Sequence, residues 1–211
     1  MELNDAASRA RELDPLILAR INDKRSKGQL PDLREKFDSI LSKHGAKVIA
    51  NAAVLTTTGA TNLFELVGAS KLARANILSR LVSTHLGEAW EEMAALSHLA
   101  ISPEVVFGER ILGVDVVFLE DSVLRHTQIK TQKNTLTGSQ KDRSVAELLL
   151  HPRPLFAAAF DVANWTFPPQ SRSGIERVAG KGFWSKLDID YQQVMSAAQD
   201  CILRLEAKLL A

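Results

Sequence analysis

Three side chains carry the first chemical argument: Asp115, Gln128 and Lys130, in the stretch GVDVVFLEDSVLRHTQIKTQKNTLTGSQ spanning residues 113–140. Side chains of a strand alternate between faces, so Gln128 and Lys130 project together. The intervening EDS reads as a reversal, which lays the segment carrying Asp115 beside the one carrying Gln128. A carboxylate, an amide oxygen, the Ile129 carbonyl and an ammonium group then converge at one sheet edge. Such a set suits a hard cation: Mg²⁺ takes oxygen ligands and keeps several waters. Asp115 would carry the main charge, Gln128 and the Ile129 carbonyl would add neutral oxygens, and Lys130 would hold or deprotonate an attacking water. Charge growing on a phosphate oxygen would be stabilised there, which is the chemistry of phosphodiester hydrolysis.

One charged ligand is thin for a divalent metal, so a second acid is wanted. The helix-like stretch LGEAWEEMAALSHL offers Glu88, Glu91 and Glu92. Helical neighbours lie three and four residues apart. Glu91 lines up with Gly87, Ala94 and Ala95, a small-residue stripe that permits close approach to a sheet, whereas Trp90 lines up with Leu86, Met93 and Ala94, a packing stripe. Glu91 is therefore expected to face the cleft and to share the metal with Asp115. Glu88 and Glu92 are its fallbacks, and the ordinary reading of all three is a set of surface acids.

The elements that must position these groups follow from periodicity. Residues 4–26 read as a helix with an apolar stripe through Leu13, Leu16, Ile17 and Ile21, ended by Gly28 and Pro31. Residues 32–44 read as a second helix burying Leu33, Phe37, Ile40 and Leu41 behind an Asp32 N-cap. TTTGATN looks like a turn between two short helices, and residues 76–100 form the longest helical pattern, broken near Gly87. From Pro103 the stretch EVVFGERILGVDVVFLEDSVLRHTQIKTQ reads as two or three strands with tight turns. Residues 142–150 fit a helix stopped by Pro152 and Pro154, LFAAAFDVANWTF reads as a strand, PPQSRSGIERVAGKG as a loop, and residues 188–210 as a last amphipathic helix. The plan is α/β or α+β. It divides into a helical N-terminal region over 1–75, for dimerisation or DNA contact, and a core over 76–211.

Composition narrows the classes. The 211 residues suffice for one domain with a real core. The single cysteine, Cys201, excludes a disulfide framework, and with the polar start MELNDAASRARELD it points to a cytoplasmic setting. No apolar run approaches the ~20 residues of a membrane span, so no membrane partner is expected. Net charge is only +1, yet residues 122–143 carry a local +4 and residues 170–186 a local +3. Those stretches could line a positive cleft for phosphates, or be two solvated loops. Cys201 has no nearby His, which argues against a thiol nucleophile, and no Gly-rich phosphate loop is present. His126 shares a face with Gln128 and Lys130 but is expected at the surface. Trp165, Phe167, Phe183 and Trp184 are expected in the core.

Asp115, twelve intervening residues, then Gln128-Ile129-Lys130, preceded by a helix carrying Glu91, resembles the core of the PD-(D/E)xK nucleases. Gln128 stands where the second acid usually stands, a substitution met in the Mrr-like branch of that superfamily, and Val114 stands where the motif's leading proline would be. LGEAWEEMA, KTQKNTLTGSQ and GKGFWSKL further resemble stretches of type II restriction endonucleases, so the likeness covers roughly residues 83–190. The resemblance implies a restriction-endonuclease-like mixed central sheet flanked by helices. It implies Mg²⁺ bound or oriented by Glu91 and Asp115, Gln128 in the place of the usual acid, and Lys130 as the catalytic lysine. It also implies a sequence-specific endonuclease cutting double-stranded DNA, acting as a homodimer because two centres cut two strands, with a cognate DNA methyltransferase in the same system.

The run after Lys130 supplies Lys133, Asn134, Thr135, Thr137, Ser139, Gln140 and Lys141. These are donors that contact phosphates and base edges, or else a polar loop capping the next helix. Arg172, with Arg177, Lys181 and Lys186, would face the DNA backbone or water. A repair or structure-specific nuclease on the same core, and a DNA-binding protein that has lost catalysis, are the other readings.

Overall fold

A computed structural model describes residues 3–30, 32–53, 63–136 and 138–210. The order of elements is α1 (Leu3–Lys27), α2 (Leu33–Ala53), α3 (Leu63–Leu66), α4 (Ser70–Ala94), β1 (Ala100–Ile101), α5 (Pro103–Phe107), β2 (Val116–Glu120), β3 (Val123–Gln132), α6 (Ser139–Leu148), β4 (Pro154–Phe160), α7 (Gln170–Ser173), β5 (Glu176–Ala179), α8 (Lys181–Lys186) and α9 (Tyr191–Leu209). The chain divides into two compact units, Met1–Leu33 with Trp90–Gln192, and Arg34–Ala89 with Gln193–Ala211. The boundary expected at residue 75 does not coincide with either junction: the first helix belongs with the sheet, and the last helix with the helical unit.

The first unit is α/β, a mixed five-stranded sheet in the order β1-β2-β3-β4-β5. β1–β2 and β2–β3 are antiparallel, while β3–β4 and β4–β5 are parallel. The β2–β3 hairpin closes through Asp121 and Ser122, both at positive φ (49° and 64°). That conformation suits the right-handed strand twist, and a short polar side chain tolerates it. α1 buries Ala10, Ile17 and Ile21 against Ile101, Val117 and Leu119, with Ile111 and Val114 from the loop before β2. Leu16, expected in that stripe, is exposed. Near β4, Leu148 of α6 packs with Phe156, Phe167 and Ile175. Phe183 and Trp184 are fully buried as expected, and the Trp184 indole donates to the Ala159 carbonyl at 2.8 Å. GKGFWSKL is thus a packing element in this fold.

Several local expectations change. EVVFGER is not a strand. Pro103 opens a short helix and Gly108 closes it at φ 69°, its N–H donating to Glu104 O. Proline first and left-handed glycine last is a helix signature. α4 runs from Ser70 without a break at Gly87 and stops at Ala94, not at residue 100. Within PPQSRSGIERVAGKG lie α7 and the edge strand β5. The strand in LFAAAFDVANWTF ends at Phe160. TTTGATN lies outside the described residues.

The second unit is helical. Val194, Ala197, Ala198, Cys201 and Leu205 make the buried face of α9, at the spacing of one helical stripe. Phe37, Leu41 and Val48 of α2 are fully buried. The Cys201 thiol donates to the Leu41 carbonyl at 3.6 Å, and burial pushes it above its ordinary range, away from thiolate chemistry.

Candidate functional site

Asp115 sits immediately before β2, where pairing with β3 runs out. Its N–H donates to the Thr127 carbonyl at 2.9 Å. Two residues further along β3, past Gln128, the pattern changes: the Ile129 N–H donates to Asp115 Oδ2 at 2.7 Å instead of to a backbone carbonyl. A strand residue's N–H and C=O point to the same side, so the Ile129 carbonyl is directed towards the edge that Asp115 occupies. By register, Asp115 and Val117 share a face with His126, Gln128 and Lys130.

That face opens into a cavity of about 380 Å³ lined by Arg110, Gly113, Asp115, Gln128, Lys130, Arg143 and Glu147, among others. Three of these side chains are cationic and two acidic. Gln128 is 7% exposed, and its Oε1 is buried with no hydrogen-bond partner. A buried amide oxygen without a donor is costly, and here it borders the cavity. Burial pushes the Asp115 carboxyl up, while the Lys130 ammonium, the Ile129 N–H and Arg110 pull it back. The carboxylate has lost water that a cation in the cavity would replace.

Glu147, on α6, reaches the cavity with its Oε1 accepting from Arg143 Nε at 2.6 Å. Gly113 makes that approach possible. It stands at φ 72°, and a Cβ there would lie 2.7 Å from the Glu147 Cβ. Behind the cavity wall, His151 lies near Leu112 O, its Nε2 2.7 Å away, and stacks on His126 at 5.2 Å between ring centroids. His126 is fully buried rather than at the surface, with Nε2 3.0 Å from Asp14 Oδ1 of α1 and Nδ1 3.2 Å from Pro152 O. Burial pushes His151 below its ordinary value. This histidine pair fixes the loop that presents Asp115.

The sequence-expected groups therefore divide. Asp115, Gln128 and Lys130 come together. Glu91 is not among the residues that line the cavity, nor are Glu88 and Glu92; the acid that lines it beside Asp115 is Glu147. Sequence reasoning passed over Glu147, Arg110 and Arg143. The available signal was the Arg143–Glu147 spacing on a helix that follows directly on the Lys130 strand.

Of the expected DNA contacts, Asn134, Thr135, Ser139, Gln140 and Arg172 are exposed, and Thr137 lies outside the described residues. Lys133 pairs with Asp161, the Thr135 hydroxyl donates to Gln132 O at 2.8 Å, and Asn134 Oδ1 accepts from Gln132 Nε2 at 2.8 Å. Lys141 is half-buried on α6. Part of the local positive charge is neutralised within the unit, since Arg125 and Lys186 both pair with Glu120 and Glu176. Comparisons with protein-family models, with curated proteins and with solved structures found no match. Among the described residues, no helix is long and apolar enough to cross a membrane.

Proposed function

We propose that the cavity around Asp115 is the active site of a Mg²⁺-dependent, sequence-specific endonuclease of the PD-(D/E)xK type, acting on double-stranded DNA. The observation that carries this reading is the Asp115 carboxylate bonded to the Ile129 N–H beside a buried, donorless Gln128 oxygen and the Lys130 ammonium. The donor set fits a hard cation, being oxygen throughout: the Asp115 carboxylate, Gln128 Oε1, the Ile129 carbonyl and, in place of Glu91, Glu147. Mg²⁺ held there would supply positive charge beside the phosphate oxygens and lower the barrier to attack by water.

The chain's own residues do the rest. Lys130 orients the attacking water and accepts or returns its proton. Arg110 and Arg143 hold the phosphate by charge-assisted hydrogen bonds. Glu147 balances the cationic side chains and adds the second acid that Gln128 does not provide. Type II restriction character, a homodimer and a cognate methyltransferase belong to the same proposal and rest on the likeness of the motif stretches. A repair or structure-specific nuclease on the same fold is distinguished by its products.

The test is incubation with unmethylated phage DNA and Mg²⁺, beside Lys130→Ala and Glu147→Gln. Fixed fragments, lost in both variants and in EDTA, support the reading. Smears or nicks favour a repair role. DNA binding without Mg²⁺-dependent cleavage leaves a binding protein only.

A further inference from the structure

In the helical unit, His44 of α2 and His85 and Glu88 of α4 gather their ligand atoms within 4.8 Å of one another. We propose that this trio is a Zn²⁺ site that fastens α2 to α4. The geometry is the first argument. His44 Nδ1 lies 3.5 Å from Glu88 Oε2, and His85 Nδ1 lies 3.6 Å from the same oxygen. These separations exceed the ~2.7–3.2 Å of a nitrogen–oxygen hydrogen bond. They match the edge of a tetrahedron whose metal–ligand bonds are ~2.0–2.2 Å, which is about 3.3–3.6 Å.

Burial is the second argument. The His44 side chain is 1% exposed and the His85 side chain 15%. His85 Nδ1 is buried and makes no hydrogen bond. An imidazole nitrogen removed from water and aimed at a carboxylate just beyond bonding distance leaves room for an ion between them. The far nitrogen, His85 Nε2, lies 3.0 Å from Asn51 Nδ2, on a side-chain amide whose oxygen and nitrogen exchange places on a half-turn about its terminal torsion. With the amide oxygen turned to that nitrogen, Asn51 accepts the Nε2–H and leaves the Nδ1 lone pair for the metal, the usual second partner of a metal-bound histidine.

The chemistry selects the ion. Two imidazoles and one carboxylate suit a borderline metal such as Zn²⁺ and not Mg²⁺, which wants oxygen and near-octahedral order. Glu88 is 48% exposed on its side chain, so water can take the fourth position. Lys47 Nζ, 3.8 Å from Glu88 Oε2, competes for the same oxygen. The site therefore differs in donors and in ion from the proposed catalytic cavity, and it stands whether or not that cavity cleaves DNA.

The experiment uses the full chain freed of metal with EDTA and then dialysed. Zn²⁺ is titrated calorimetrically, and thermal unfolding is followed with and without Zn²⁺ or Mg²⁺. One Zn²⁺ per chain, a raised melting temperature with Zn²⁺ but not Mg²⁺, and a tetrahedral visible spectrum with Co²⁺ are expected. Glu88→Gln and His85→Gln should each weaken binding at least ~100-fold, the upper end of what loss of a mere supporting partner costs. Both should unfold like the parent chain in EDTA, which separates loss of the site from loss of the fold. Lys47→Ala should tighten binding. Absence of saturable binding at micromolar Zn²⁺, or binding unchanged in both ligand variants, would overturn the site.

Discussion

Two half-buried lysines of the sheet-containing unit are held in opposite ways. Lys24, near the end of α1, donates to three backbone carbonyls, Ala95 O at 2.8 Å, Ser97 O at 2.6 Å and Ala100 O at 2.7 Å. Its three protons are all placed, and they tie the turn after α4 to the start of the sheet. The Lys130 ammonium makes no hydrogen bond among the described residues; it lines the cavity with Asp115 and influences that carboxyl through charge. A lysine whose donors are saturated by backbone is part of the scaffold. One kept beside a carboxylate with its donors open is available to a ligand. A weaker form of the contrast separates Arg125, wedged between Glu120 and Glu176, from Arg110, which lines the cavity with an exposed side chain 3.8 Å from Glu104.

Replacing each lysine tests the contrast most severely. Lys130→Ala should lower Mg²⁺-dependent cleavage by about 10³-fold, the scale for losing one group that acts on developing charge. Its unfolding free energy from urea titration should stay within ~0.5 kcal/mol of the parent, as for a side chain that holds no structure. Lys24→Met should do the reverse. Three carbonyls lose their donor, and unfolding in urea should show a loss of about 3 kcal/mol, with activity per folded molecule retained. A destabilised Lys130→Ala, or a Lys24→Met as stable as the parent, would break the distinction.

The wall of the cavity gives a smaller effect. Gly113→Ala forces a side chain into positive φ and against Glu147. About 2 kcal/mol of stability should go, together with part of the activity as α6 is pushed back. Gly174→Ala is the control: it carries the same positive φ (74°), with Leu149 Cδ2 no nearer than 3.8 Å. It should lose stability without the loss of activity.

What could be read in advance follows the range of the interactions. Asp115, Gln128 and Lys130 were legible because strand alternation and the reversal at EDS are local, and together they bring the two strands side by side. Asp14, by contrast, meets His126 across 112 positions. Nothing local in RHTQ or RELD distinguishes a buried histidine with a carboxylate partner from a solvated one. Glu147 was missed for the same reason. A crossover helix hides which of its turns returns to the sheet, whereas Glu91 sits on a helix whose small-residue stripe is equally good for packing. β5 was read as loop because its four residues include Glu176 and Arg177; Glu176 is met by Arg125 and Lys186, and Arg177 donates to the Phe167 carbonyl, rather than either facing water alone. Strands and their helical companions were visible as patterns, and the mixed order of the sheet was implied only by the resemblance; the grouping into two units was not legible, since α1 and α9 join distant parts of the chain.

The smallest expected effect concerns pH and the saturated lysine. Burial, with a smaller push from Arg20, lowers Lys24 from its ordinary 10.5 to about 8. The unfolded chain therefore holds this proton more tightly than the folded one. Below pH 8 both states are protonated and the folded state bears the full cost of a buried ammonium. As pH rises from 8 towards 10.5, the folded amine releases its proton first, so this group's contribution to stability increases with pH and levels off above 10.5. Urea unfolding of the parent and of Lys24→Met at pH 7.5 and 9.5 isolates it, because every other titration cancels in the difference between the two chains. The parent should gain on the variant at the higher pH. A difference that shrinks instead would mean that three carbonyl acceptors outweigh burial and keep the ammonium charged, which a neutral amine with two protons cannot replace. Either sign measures how firmly the scaffold lysine is held, and Lys130 offers no such anchor to lose.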